Sequence, residues 1–89
     1  MQSETYWVYV LELEDGRRYV GQTNNLMRRI EEHKIGRSPY TGKIGVRQIV
    51  YSEKFETRSK AIEREKYLKS GQGRLWLQQK LVEQSATGG

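Results

Sequence analysis

The sequence contains no cysteine and only one proline, one phenylalanine and one histidine. Without cysteine there is no disulfide, no thiolate zinc site and no cysteine nucleophile, and the chain suits a cytoplasmic, intracellular setting. No apolar run approaches the roughly 20 residues of a membrane helix, and no secretory hydrophobic region opens the chain, so no membrane partner is expected. Internal repeats and linkers are missing as well. With 89 residues there is room for one core. Residues 1–84 therefore read as a single domain, with a monomer favoured, and Ser85 to Gly89 (SATGG) as a small, polar, disordered tail.

Charge is what the chain has in quantity. Charged residues make up 30%, and the formal charge is +5. A basic domain of this size favours a polyanionic partner, because arginine and lysine gain affinity by displacing counterions from phosphates. Hydrophobic residues reach only 35%, so tyrosine and tryptophan must help to build the interior.

Trp7 to Leu13 (WVYVLEL) is β-branched and aromatic and precedes Asp15-Gly16, a turn signal; Arg17 to Gly21 returns as a second strand. Thr23 or Asn24 can cap a helix through LMRRIEEHKI, with Gly36 as its stop. A polar loop, Gly36 to Gly45, leads to a third strand within Val46 to Phe55. Thr57 or Ser59 caps a second helix, which Gly71-Gln72-Gly73 ends, and a third helix runs from Arg74 to about Gln84. The order ββαβαα predicts an α+β fold: a small three-stranded antiparallel sheet flanked by helices.

The second helix carries the first chemical signal. On a wheel of about 100° per residue, Leu68 falls within roughly 20° of Ala61, and Glu65 within about 40° of it. A glutamate inside an apolar stripe needs a partner: a salt bridge, for instance to Arg29, or a metal ion. On the first helix Leu26, Met27 and Ile30 define the apolar side, and Arg29 and His33 lie along its margin at i, i+4. Arginine, imidazole and carboxylate converging would suit a phosphodiester: charge stabilisation, a proton carrier and a metal anchor. Tyr9 and Tyr19 of the hairpin lie on opposite faces if Asp15-Gly16 forms a two-residue turn, and on one face if the loop has three residues or a bulge.

Trp7-Val8-Tyr9, Tyr19-Val20-Gly21, the run YVGQTNNLMRRIEEH and the segment TRSKAIEREKYLKSG together resemble a GIY-YIG nuclease domain. The likeness is to small single-domain members related to the incision domain of the excision-repair subunit UvrC, and it spans roughly Tyr6 to Gly71. It implies that both tyrosines share a face, and hence a bulged or longer turn. It further implies a DNA endonuclease of repair or of a mobile element, with Tyr9 as general base or relay and Tyr19 lining the same site. Arg29, His33 and Glu65 complete the implied catalytic set, and Glu65 would hold a single divalent cation, Mg2+ or Mn2+. Many members carry an asparagine after the glutamate helix; here none follows Asn25, leaving Gln72 or Gln79 as substitutes.

The expected reaction is in-line attack of water on DNA, with Arg29 gripping a non-bridging oxygen and Arg37, Lys43, Arg47, Lys69 and Arg74 contacting the backbone. Two other readings compete: a catalytically weak or silent nucleic-acid-binding module, and a structural domain in which Arg29 and Glu65 merely pair.

Overall fold

A computed structural model describes residues 5–36 and 44–87. The hairpin sets its geometry. Strand β1 (Tyr6–Leu13) enters a three-residue loop, Glu14-Asp15-Gly16, and β2 (Arg18–Thr23) returns from it. The Leu13 amide donates to the Arg17 carbonyl at 2.8 Å, and the Gly16 amide to the Leu13 carbonyl at 2.9 Å. Gly16 has φ 90°, a value that L side chains rarely adopt. The two-residue pairing of Glu14 with Arg17 therefore does not form. Tyr9 faces Gly21 across the ladder and Leu11 faces Tyr19, so both tyrosines lie on one side of the sheet.

Strand β3 (Val46–Phe55) pairs antiparallel along the other edge of β1, giving the order β2-β1-β3. The fold is the expected α+β arrangement. As the middle strand, β1 is covered on both faces, and Val8, Tyr9, Val10 and Leu11 are each at most 1% exposed.

Helix α1 (Leu26–Lys34) is capped by Asn25, whose side chain accepts the Arg28 amide at 3.1 Å. Neither Thr23 nor Asn24 takes that role; the Thr23 hydroxyl instead accepts the Asn25 amide at 3.1 Å and fixes the corner. Gly36, at φ 80°, stops the helix as expected. Thr57 caps α2 (Arg58–Lys69), accepting the Lys60 amide at 3.2 Å.

The break after α2 is shorter than the glycines suggested. It falls at Ser70, whose hydroxyl donates to the Tyr67 carbonyl at 2.6 Å and accepts the Gly73 amide at 3.2 Å. Helix α3 (Gly71–Thr87) therefore begins three residues before Arg74 and absorbs Gly71-Gln72-Gly73 as its first turn. Gly73 is there for space, since a Cβ would collide with the Tyr67 carbonyl. At the other end the helical backbone continues through 85–87, where a disordered tail was expected.

Helices α2 and α3 cover one face of the sheet, where Val8, Val10 and Val20 meet Ala61, Leu68 and Leu77. A polar clasp borders this core. Arg64 pairs with Glu53 at 2.9 Å and lies over the rings of Tyr67 and Trp76, 5.0 and 4.5 Å from their centroids. The Tyr51 hydroxyl donates to Glu53 at 2.7 Å; burial, and then the carboxylate, push its pKa up to about 12. On the opposite face Tyr9, Leu11 and Leu13 pack with Tyr19, Leu26, Ile44 and Val46.

Candidate active site

Helix α1 presents Leu26, Arg29, Ile30 and His33 to the sheet, an i, i+3, i+4, i+7 stripe, of which His33 is the buried member. The stripe is turned from the expected one. Met27 is 75% exposed, and Arg29 and His33 belong to the inward face rather than to its margin.

There, the Tyr9 hydroxyl and His33 Nε2 are 3.0 Å apart. The ring centroids of Tyr9 and Tyr19 lie 6.4 Å apart, those of Tyr9 and His33 5.7 Å, and those of Tyr19 and His33 5.2 Å. Gly21 makes this packing possible: a Cβ at that position would stand 2.5 Å from the Tyr9 hydroxyl oxygen. The glycine of the second motif thus keeps a space for the tyrosine of the first.

The electrostatics divide the roles. Burial raises the Tyr9 phenol above its ordinary pKa of 10.0, Tyr19 and Glu65 add to the rise, and the adjacent Arg29 opposes it. Burial, and next the Arg29 charge, lower His33 below 6.5. Near neutral pH the pair is a neutral phenol against a neutral imidazole. Tyr9 in turn raises the Arg29 pKa, so the guanidinium stays charged throughout. Arg29 also pairs with Glu32 at 3.1 Å, which removes it as the expected partner of Glu65.

Glu65 lies on the Ala61–Leu68 side of α2, with its side chain 21% exposed. Its Oε2 accepts from the Lys69 ammonium at 2.7 Å, and Lys69 is itself 54% exposed. An i, i+4 pair with one partner so wet is worth about 0.3–0.5 kcal/mol. A solvated cation can displace it. A carboxylate held only by such a pair has an oxygen that a hard cation such as magnesium, which keeps several waters of its own, can use.

Beside the site, a groove of about 660 Å³ opens between the hairpin end of β2 and helices α2 and α3. Tyr19 and Lys69 line it and so connect it to the site. Arg17, Arg18, Arg74 and Gln78 line it too. Of the backbone-contact candidates, Lys69 and Arg74 are thus in the groove. Arg47 is not among its walls: it pairs with Glu12 and Glu14 at 3.7 and 3.6 Å. Arg37 and Lys43 lie outside the described residues. Sequence reasoning missed Arg17 and Arg18, although an Arg-Arg pair directly after a turn was available as a signal. Gln72 and Gln79 are exposed, and neither side chain has a hydrogen-bond partner among the described residues.

The model of the GIY-YIG catalytic domain family matches residues 5–79. A UPF0213 protein of Limosilactobacillus reuteri is 36% identical over 72 residues, covering 78% of this chain and 75% of its own. One from Haloquadratum walsbyi is 40% identical over 70 residues, covering 76% and 78%. The solution NMR structure of a UPF0213 protein from Bacillus halodurans aligns with a TM-score of 0.53 at 32% identity, over 82% of this chain and 81% of that one.

Proposed function

Because the chain belongs to the GIY-YIG catalytic-domain family, a nuclease family, we propose that it is a metal-dependent endonuclease that hydrolyses phosphodiester bonds of DNA. The observation that carries this reading is the buried Tyr9–His33 pair at 3.0 Å, with Arg29 beside it.

A phenol whose pKa is raised cannot wait as a phenolate. It can act as a relay: with the ring proton on Nδ1, His33 Nε2 accepts the Tyr9 proton while the phenol oxygen takes one from the attacking water. His33 is suited to the task because it is neutral, and Arg29 because its charge stabilises negative charge growing on the phenol oxygen and on a non-bridging phosphate oxygen. Tyr19 packs against both rings and fixes their orientation. Glu65 would hold a magnesium or manganese ion. When bound, that ion supplies neutralisation of charge on the phosphate and the leaving oxygen.

The test is relaxation of supercoiled plasmid with magnesium or with EDTA, using the wild type, Glu65→Ala and Tyr9→Phe. We expect nicking in magnesium alone, lowered at least 100-fold in each variant. Cleavage that persists in EDTA or in Glu65→Ala would reject the mechanism. Binding without cleavage of any duplex, nicked or branched substrate would instead favour a silent nucleic-acid-binding module.

A further inference from the structure

Lys69 belongs to two places at once. Its ammonium holds Glu65 at 2.7 Å, yet its side chain is 54% exposed and forms part of the groove wall beside Tyr19. The groove is strongly one-signed: Arg17, Arg18, Lys69 and Arg74 line it, and among the described residues no carboxylate does. Arg17 is shared with Asp15 at 3.3 Å. The guanidinium groups of Arg18 and Arg74 have no carboxylate partner among the described residues. Positive charge that no internal acid neutralises is what a phosphate backbone recognises.

We propose that this groove is the track for the phosphate backbone of the strand being cut, and that Lys69 is handed from Glu65 to a phosphate when the strand enters. The inference rests on the nuclease reading of the site. In the free protein Lys69 occupies the carboxylate that a divalent cation requires. A phosphate in the groove offers the ammonium a competing anion, and the move leaves Glu65 open. Nucleic acid in the groove and cation on Glu65 then favour one another, and the coupling is reciprocal. The flexible four-carbon stem of lysine permits the swing.

Two measurements test this, neither of which depends on cleavage. The first is Mn2+ binding by the full chain, without nucleic acid, read as free Mn2+ by electron paramagnetic resonance. Removing both the competitor and its repulsion should make Lys69→Gln bind Mn2+ about three- to tenfold more tightly than wild type. Lys69→Arg should remain close to wild type, and Glu65→Gln should lose the site. The second is fluorescence polarisation of a labelled duplex in EDTA across a salt series. Arg18→Gln and Arg74→Gln should each weaken binding and reduce the salt slope by about 1, while leaving Mn2+ affinity unchanged. Equal Mn2+ affinity in wild type and Lys69→Gln, or no Mn2+ binding by either, overturns the hand-over. Unchanged salt slopes overturn the groove as the track. If both results hold and plasmid still survives intact, the nuclease reading fails, and what stands is a groove and a Lys69 hand-over that serve a bound strand without cutting it.

Discussion

The two faces of the sheet are made from the same strands and do opposite things. Toward α2 and α3, alternate residues of β1 and β2 are Val8, Val10 and Val20, sealed against Ala61, Leu68 and Leu77. Toward α1, the residues between them include Tyr9 and Tyr19, and the helix adds Arg29 and His33. One face stabilises by removing apolar surface from water. The other has buried polar atoms that must satisfy one another, and among the described residues no buried side-chain nitrogen or oxygen is left unpartnered. Tyr9, Arg29 and His33 are thereby kept from the Val8, Val10 and Val20 core by the thickness of one strand, whereas Glu65, whose charge acts on Tyr9, stands on α2.

The comparison predicts that damage to the two faces will be read most strongly in different measurements. Leu68→Ala should give the largest effect: Leu68 is wholly buried, and its truncation should lower unfolding free energy by about 2–5 kcal/mol in urea titration. Because Leu68 also lines the groove beside Lys69, cleavage per folded molecule should fall as well, but by less than in a variant that disturbs Tyr9 directly. Gly21→Ala comes next. The new methyl group must displace the Tyr9 hydroxyl, so plasmid nicking should fall roughly 100-fold. Its stability cost, by thermal denaturation, should be smaller than that of Leu68→Ala.

A pH series gives the smallest and most selective effect. His33 in the folded state lies below 6.5, its ordinary value, so the unfolded chain binds the proton more readily. Folding stability from this group is present above that value and is lost as pH falls from 6.5 through the folded-state pKa. Nicking should follow the same direction, with an acid limb whose midpoint lies below 6.5 because the relay needs a neutral imidazole. A midpoint above 6.5 would remove His33 from the proton path.

Much of this arrangement was legible in the residues, and what was not has identifiable causes. The ββαβαα order followed from turn and cap signals, and the placement of Glu65 from helical spacing. Periodicity alone put Met27 on the buried face of α1 because it is apolar, whereas packing against Tyr9 and Tyr19 selected Arg29 and His33. A long polar side chain can be the inward one where polar partners await it. The Arg29–Glu65 pairing failed because each had a nearer partner on its own helix, Glu32 and Lys69. The α2–α3 break was misread because glycine signals both loops and close packing, and Gly73 serves the latter.

The hairpin loop has a consequence for descent. Residues 14–16 are exposed, so their side chains are at liberty to change, apart from the need for a positive φ at Gly16. What cannot change is the register that they close, with Leu13 opposite Arg17. A slip of one residue in the β1–β2 pairing would carry Tyr19 to the side where Val20 now sits, while Tyr9 stayed in place. Lineages of this domain can therefore rewrite the loop letter by letter, and even shorten it to a two-residue turn, provided that Leu13 and Arg17 stay opposite one another.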